Sequence, residues 1–298
     1  MTFFKRLFAP VAALLALASA PAAEVKALHP ASPALWAISD ADTTIYLFGT
    51  IHVLPGNYQW RTANFNKAVT GSQQLMVETI VDQKDPTKLM SLFAGMGFGR
   101  GLSPLEQRVA AENRPALAAA IQRCGLTSPY LDQMKTWAAA FLLLNCQFAQ
   151  IGLKGPEGVE AVLRENFMAA GKPIGELESN AEQLGYFDRL PEEAQRALLL
   201  GSLEKPEDTE KEFAPMLKAW ARGDVEAISR TFDQELTASP ELKEALIKRR
   251  NANWSRWIEQ RMAEPGAIMV AVGAGHLAGP DSVISLLKKD GYRVERLQ

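Results

Sequence analysis

Two apolar runs in this 298-residue chain end in the same short pattern, Gly-x-x-His. Thr44-Ile45-Tyr46-Leu47-Phe48 leads into Gly49-Thr50-Ile51-His52, and Ala267-Ile268-Met269-Val270-Ala271-Val272 leads into Gly273-Ala274-Gly275-His276. Short apolar runs bounded by turn residues read as buried strands. Pro55-Gly56 and Gly279-Pro280 punctuate the chain soon after each histidine. The chain has three histidines, so two of them share one local frame at opposite ends of the sequence. If the fold joins the two strand ends, they form one composite site. Imidazole is the commonest metal ligand and the side chain that titrates nearest neutrality.

The stretches between these ends alternate strand and helix patterns. Ala34–Ile38 and Thr44–Phe48, separated by Ser39-Asp40-Ala41-Asp42, read as a hairpin. A short helix over Ala63–Thr70 leads to the strand Gln74–Thr79, which closes on Glu78. Residues ~86–170 are mostly helical, with Leu131, Met134, Ala138, Phe141 and Leu142 at three- and four-residue spacing. Gly171–Ser179 returns the chain to a strand pattern carrying Glu176 and Glu178. Residues ~182–263 are helical again, with Ser239 as an N-cap before Pro240. The last segment is a βαβ unit: strand 267–272, helix ~280–290 with Gly291 just past its end, and strand Tyr292–Glu295. Together these predict an α/β fold, a mostly parallel central sheet flanked by helices, with a large helical insertion. Gly95–Gly101 lacks GxGxxG spacing and reads as a mobile loop rather than a phosphate cradle.

The N-terminus has the parts of a secretory signal: Lys5 and Arg6, an apolar stretch from Phe8 to Ala18, and small residues at Ala20-Pro21-Ala22. The expected organisation is therefore a signal peptide over 1–22 and one domain over 23–298, periplasmic or secreted. The apolar stretch falls short of the ~20 residues that span a bilayer. Without Lys5 and Arg6 the 32 basic residues become 30 against 34 acidic, and this mildly acidic, mixed charge does not indicate nucleic-acid binding. Cys124 and Cys146 would permit one disulfide in an oxidising compartment. Read as two antiparallel helices (~108–124 and ~130–148), however, the segment holds the cysteines about 25 Å apart, so two buried free thiols are expected.

Ligands of parallel sheets gather beyond the carboxyl ends of the strands. Four strand-end groups meet that condition: His52, Glu78, Glu178 and His276. Two imidazoles with one or two carboxylates suit a divalent ion such as Zn or Mn. A carboxylate outside the ion's ligands can serve as general base. On pattern alone Arg249, Arg250 and Asn251 read as a solvated helix face, and Trp254 and Trp257 as packing. No HExxH, GxSxG, P-loop or CxxC pattern is present.

Tyr46–His52, Val77-Glu78-Thr79, Gly158-Val159-Glu160, Leu177-Glu178-Ser179 with Gln183-Leu184, Arg250-Asn251 and Val272–Leu277 resemble, in that order, the motifs of the TraB/GumN family, which includes the Tiki metalloproteases. The resemblance spans nearly the whole chain after the leader. It implies a fold related to erythromycin esterase and ChaN-like proteins, and metal-dependent peptidase activity with Mn or Co favoured. It puts His52, His276 and Glu78 on the metal. Glu78, Glu178 and Arg250 become the catalytic set, and a peptide or protein the substrate. Arg250 thereby becomes a candidate oxyanion stabiliser. Glu160 stands where many members carry Asp, and no role is assigned to it. The alternatives are a peptide- or ligand-binding protein that does not cut, and a metal-free, esterase-like hydrolase with a histidine base.

Overall fold

The computed structural model describes residues 28–81, 85–151, 153, 158–236 and 239–298, so the leader expected over 1–22 lies outside the described residues. The strands are β1 (His29–Pro30), β2 (Leu35–Ser39), β3 (Thr43–Thr50), β4 (Tyr58–Gln59), β5 (Gln74–Val77), β6 (Ile174–Glu176), β7 (Gly266–Gly273) and β8 (Val294–Arg296). Six of them form one sheet in the order β6-β5-β7-β3-β2-β8, while β1 and β4 pair separately. β6, β5, β7 and β3 run parallel, and β2 is antiparallel to both of its neighbours. The fold is α/β, with this mostly parallel sheet flanked by helices. β8 therefore points the same way as β7, as a βαβ unit requires, with β3 and β2 lying between them.

Alternation along the strands explains the two faces. Ile268, Val270 and Val272 of β7 pack with Ile45, Leu47 and Met76 on one side. Met269 and Ala271 join Phe48, Leu75 and Val77 on the other. Successive strand residues point to opposite faces, so a sheet covered by helices on both sides reads as an unbroken apolar run. The helices over the first face include Trp254 and Ile258 from Arg249–Arg261 and Val283 and Leu287 from Val283–Lys289. The much larger second core takes in the middle of the chain, including Trp137 and Phe141 of Thr136–Gln150 and Trp220 of Pro206–Ala221.

Two expectations change. Cys124 and Cys146 form a disulfide, with Cα atoms 5.8 Å apart, not two free thiols. Neither helix is as long as its apolar spacing suggests. The first is Arg114–Arg123, and a one-turn helix, Ser128–Asp132, precedes Thr136–Gln150. The second long helix thus begins about 15 Å from Cys146, ten residues before it, and runs back toward the first. Their carboxyl ends meet, and Gln150 Nε2 donates to the Arg123 carbonyl at 3.0 Å. The glycine-rich stretch is likewise no free loop at its start. Helix Thr87–Gly97 runs into it, and a Cβ on Gly97 would lie 2.8 Å from the Ala138 Cβ, so glycine there lets two helices touch.

Candidate functional site

Four adjacent parallel strands bring the motif residues to one edge. Thr50 of β3 pairs with Gly273 of β7, and Val77 of β5 pairs with Ala271 of β7 and Glu176 of β6. The ladder continues one step beyond β6, where the Glu178 amide donates to the Glu78 carbonyl at 3.0 Å. β7, the last parallel strand in sequence to join these four, fills the slot between β3 and β5. That insertion sets the second Gly-x-x-His between His52 and Glu78. A Cβ on Gly49 would lie 3.1 Å from the Ala274 Cα, so the two turns pack backbone against backbone.

All five expected side chains are withdrawn from solvent: His52 is 8 % exposed, Glu78 2 %, Glu178 6 %, Arg250 5 % and His276 5 %. Glu78 lies at the centre. Its Oε1 accepts from the Gly273 amide at 2.7 Å and lies 3.8 Å from His52 Nε2 and 3.9 Å from His276 Nε2. Its Oε2 accepts from Arg250 Nη2 at 2.5 Å and Gln183 Nε2 at 3.3 Å. Glu178 takes a forked pair from Arg250, Nε to Oε2 at 3.1 Å and Nη2 to Oε1, and also accepts from Gln183. Gln183 is placed by the helix Asn180–Asp188, which starts directly after Glu178 through a reciprocal Ser179/Glu182 cap.

Each imidazole is held from behind. His52 Nδ1 meets Glu160 Oε2, and Glu160 Oε1 accepts from Thr50 Oγ1 at 2.9 Å. His276 Nδ1 donates to Asn251 Oδ1 at 2.7 Å, and Asn251 Nδ2 donates to the Asp281 carbonyl at 2.7 Å. Arg250 Nη1, a donor only, lies 3.0 Å from His276 Nε2, so that nitrogen carries the lone pair. His52 Nε2 is buried and has no hydrogen-bond partner among the described residues. A Cβ on Gly273 would sit 3.1 Å from Glu78 Oε1, 3.4 Å from His52 Nε2 and 3.6 Å from His276 Cδ2. The absent side chain leaves a small recess bounded by these three groups.

The electrostatics separate the two carboxylates. Burial alone would push Glu78 up, but Arg250, the imidazoles and the Gly273 amide outweigh it and hold the group at about 2. Burial raises Glu178, which Arg250 offsets only in part. Burial and the adjacent guanidinium pull His276 down to about 3. Burial also pulls His52 down, yet the charge of Glu160 outweighs it and the group ends raised. Burial opposes the Arg250 charge, but Glu178 and Glu78 fix it in the protonated form.

The structure thus brings together His52, Glu78, Glu178, Arg250 and His276, and settles that Glu178 rather than the exposed Glu176 faces inward. The Arg249–Asn251 stretch is a solvated face only at Arg249, since Arg250 and Asn251 are buried. Trp254 also departs from pure packing, with its ring 4.5 Å from the His276 ring and 4.6 Å from the Arg250 guanidinium. Local patterns gave no sign of Glu160, Gln183, Asn251 or Thr50 as partners. They appear only as members of the ordered motif set. Among the described residues one donor set, His52, Glu78 and Glu160, has its ligand atoms all within 4.8 Å of one another. His276 stands outside that set, its Nε2 3.9 Å from Glu78 Oε1. Glu160 meets Nδ1 while Glu78 lies nearest Nε2, so these two carboxylates address opposite ring nitrogens.

Known proteins resemble this chain over most of its length. The chain is 25% identical over 266 residues to the uncharacterized protein YbaP of Escherichia coli (strain K12), covering 89% of this chain and 96% of that one. It is 26% identical over 243 residues to YbaP of Shigella flexneri, covering 82% and 87%. No solved structure matches it. The model of the TraB/PrgY/gumN family matches residues 34–296, from just before β2 to the end of β8, and the chain belongs to that family.

Proposed function

We propose that this protein is an exported, metal-dependent hydrolase that cleaves peptides, with a divalent ion (Mn, Co or Zn) held by His52, His276 and Glu78. The observation that carries the reading is the partnerless Nε2 of buried His52, facing Glu78 across the recess at Gly273. A buried polar atom without a partner is costly unless something fills the place beside it. The donor set, two imidazole nitrogens and a carboxylate that stays ionised, suits a hydrolytic ion. Both Nε2 atoms lie within 4 Å of Glu78 Oε1, which makes that oxygen the common neighbour of the two imidazoles. Bound there, the ion would polarise a carbonyl and lower the pKa of a water.

The chain's own residues divide the remaining work. Glu78, held near 2, remains an anionic ligand. Glu178, raised by burial, is the general base that takes the proton of the attacking water. Divergent environments for two neighbouring carboxylates are the usual mark of such a division. Arg250, which keeps Glu178 in its fork, would offer Nη1 to the oxyanion if an ion took its place at His276 Nε2. The Cys124–Cys146 bridge supports the exported location, because disulfides persist in oxidising compartments.

Metal analysis of the purified protein, with peptide cleavage by His52→Ala and His276→Ala, tests the proposal. The wild type is expected to retain stoichiometric metal and cut, and both variants to lose metal and activity. Normal cleavage by both would end it. Deep burial of the cluster favours a second reading, in which the protein binds a peptide without cutting it. Recovery of intact, bound peptide after long incubation with the metal-loaded protein would select that one.

A further inference from the structure

We infer that Glu160 is a positioning residue that locks His52 in the tautomer carrying its proton on Nδ1, turning a bare Nε2 toward Glu78. The inference concerns the site read above and deepens it. A carboxylate accepts and does not donate, so the Glu160 Oε2 contact draws the imidazole proton to Nδ1. Glu160 is itself fixed twice. The hydroxyl of buried Thr50, two residues before His52, donates to its other oxygen at 2.9 Å. The amide of Val159 donates to the Ile51 carbonyl at 3.0 Å, tying the start of helix Val159–Ala169 to the end of the first Gly-x-x-His. Strand end, histidine and helix start therefore form one rigid unit, 108 residues apart in sequence.

The second histidine reaches the same state by other means. Asn251 presents its carbonyl oxygen to His276 Nδ1 because its amide nitrogen is committed to the Asp281 carbonyl. The matched motifs thus yield matched tautomers through unrelated partners, a carboxylate for one and an amide for the other. Partners of this kind orient a ligating imidazole and set which nitrogen is free. Without Glu160 the carboxylate left facing His52 is Glu78, with Oε1 3.8 Å from Nε2, and the proton moves to the nitrogen that should stay bare.

Three histidines make the test direct. Histidine-selective 15N labelling of metal-free protein at alkaline pH, where the rings are neutral, reports which nitrogen of each ring is protonated. The wild type is expected to show His52 with protonated Nδ1 and bare Nε2. Glu160→Leu, which keeps the bulk but cannot accept, is expected to reverse this for His52 and leave His276 unchanged. Glu160→Ala provides the same readout without the added branch. Titration with Mn2+ or Zn2+ is expected to show affinity falling roughly 10–100-fold in both variants. A protonated Nε2 on wild-type His52, or an unchanged His52 tautomer in both variants, would overturn the inference. Absence of metal binding by the wild type would instead remove the hydrolase reading and leave the tautomer result standing.

Discussion

Glu78 touches or faces every other charged group of the cluster, so its protonation is linked to folding. A carboxylate held at about 2 in the folded chain, against an ordinary 4.5, binds its proton more weakly when folded. The stability it contributes is present above 4.5 and is lost as pH falls toward 2. His276, pulled from 6.5 to about 3, stays neutral over a range where the unfolded imidazole is protonated, so stability falls as pH drops through that window. His52 acts in the opposite sense. Its pKa is raised, so its contribution is present below 6.5 and disappears as pH rises through the folded value. Glu178, also raised, has the same sense: its contribution is present below 4.5 and is lost as pH rises through its folded value, which offsets part of the His276 slope. For metal-free protein we expect unfolding free energy, from urea titrations at stepped pH, to decline below about 6.5. A single differential proton contributes about 1.4 kcal/mol per pH unit. The decline should steepen below 4.5, where Glu78 joins. His276→Gln should flatten the 6.5–4.5 part alone, and an unchanged slope in that variant would refute the assignment to His276.

The placement of Arg250 depends on a local irregularity in its helix. Glu244–Lys248 form a π-turn in which the Arg249 amide bonds the Glu244 carbonyl, five residues back. Leu242, Leu246, Arg250, Trp254 and Ile258 recur every four residues and are all buried. In a pure α-helix of 3.6 residues per turn such a row drifts around the axis, and one wider turn takes up part of that drift. Arg250 looks like a surface charge because it stands in the polar run Arg249-Arg250-Asn251. The row itself was legible and would have pointed inward. The disulfide was hidden because apolar spacing does not reveal the breaks at 124–128 and 132–136 that reverse the expected geometry. Replacing both cysteines by alanine opens a loop with a sequence separation of 22 residues. Unfolding in urea is expected to show a loss of about 2–4 kcal/mol. Metal affinity should stay unchanged, because the site residues sit on other elements.

At the scale of the whole molecule, export and topology carry the consequences. On the proposed location, N-terminal sequencing of protein recovered from the periplasm should begin close to residue 23. An intact Met1 there would count against the signal-peptide reading. Amino-acid order by itself located the strands of the main sheet, though not the short pair β1 and β4, implied the two-sided burial of that sheet, and singled out His52, Glu78, Glu178 and His276 as candidates. Strand periodicity and chemistry are local properties, and a carboxylate or imidazole closing an apolar run stands out without coordinates. Only the tertiary structure decided that β7 slides between β3 and β5, that Glu160 backs His52, that Asn251 backs His276, and that Cys124 reaches Cys146. Those pairings join positions separated by between 22 residues, for the cysteines, and 223 residues, for Thr50 with Gly273. They are fixed by which buried surfaces and hydrogen-bond partners can be satisfied together, and no periodicity along the chain encodes that.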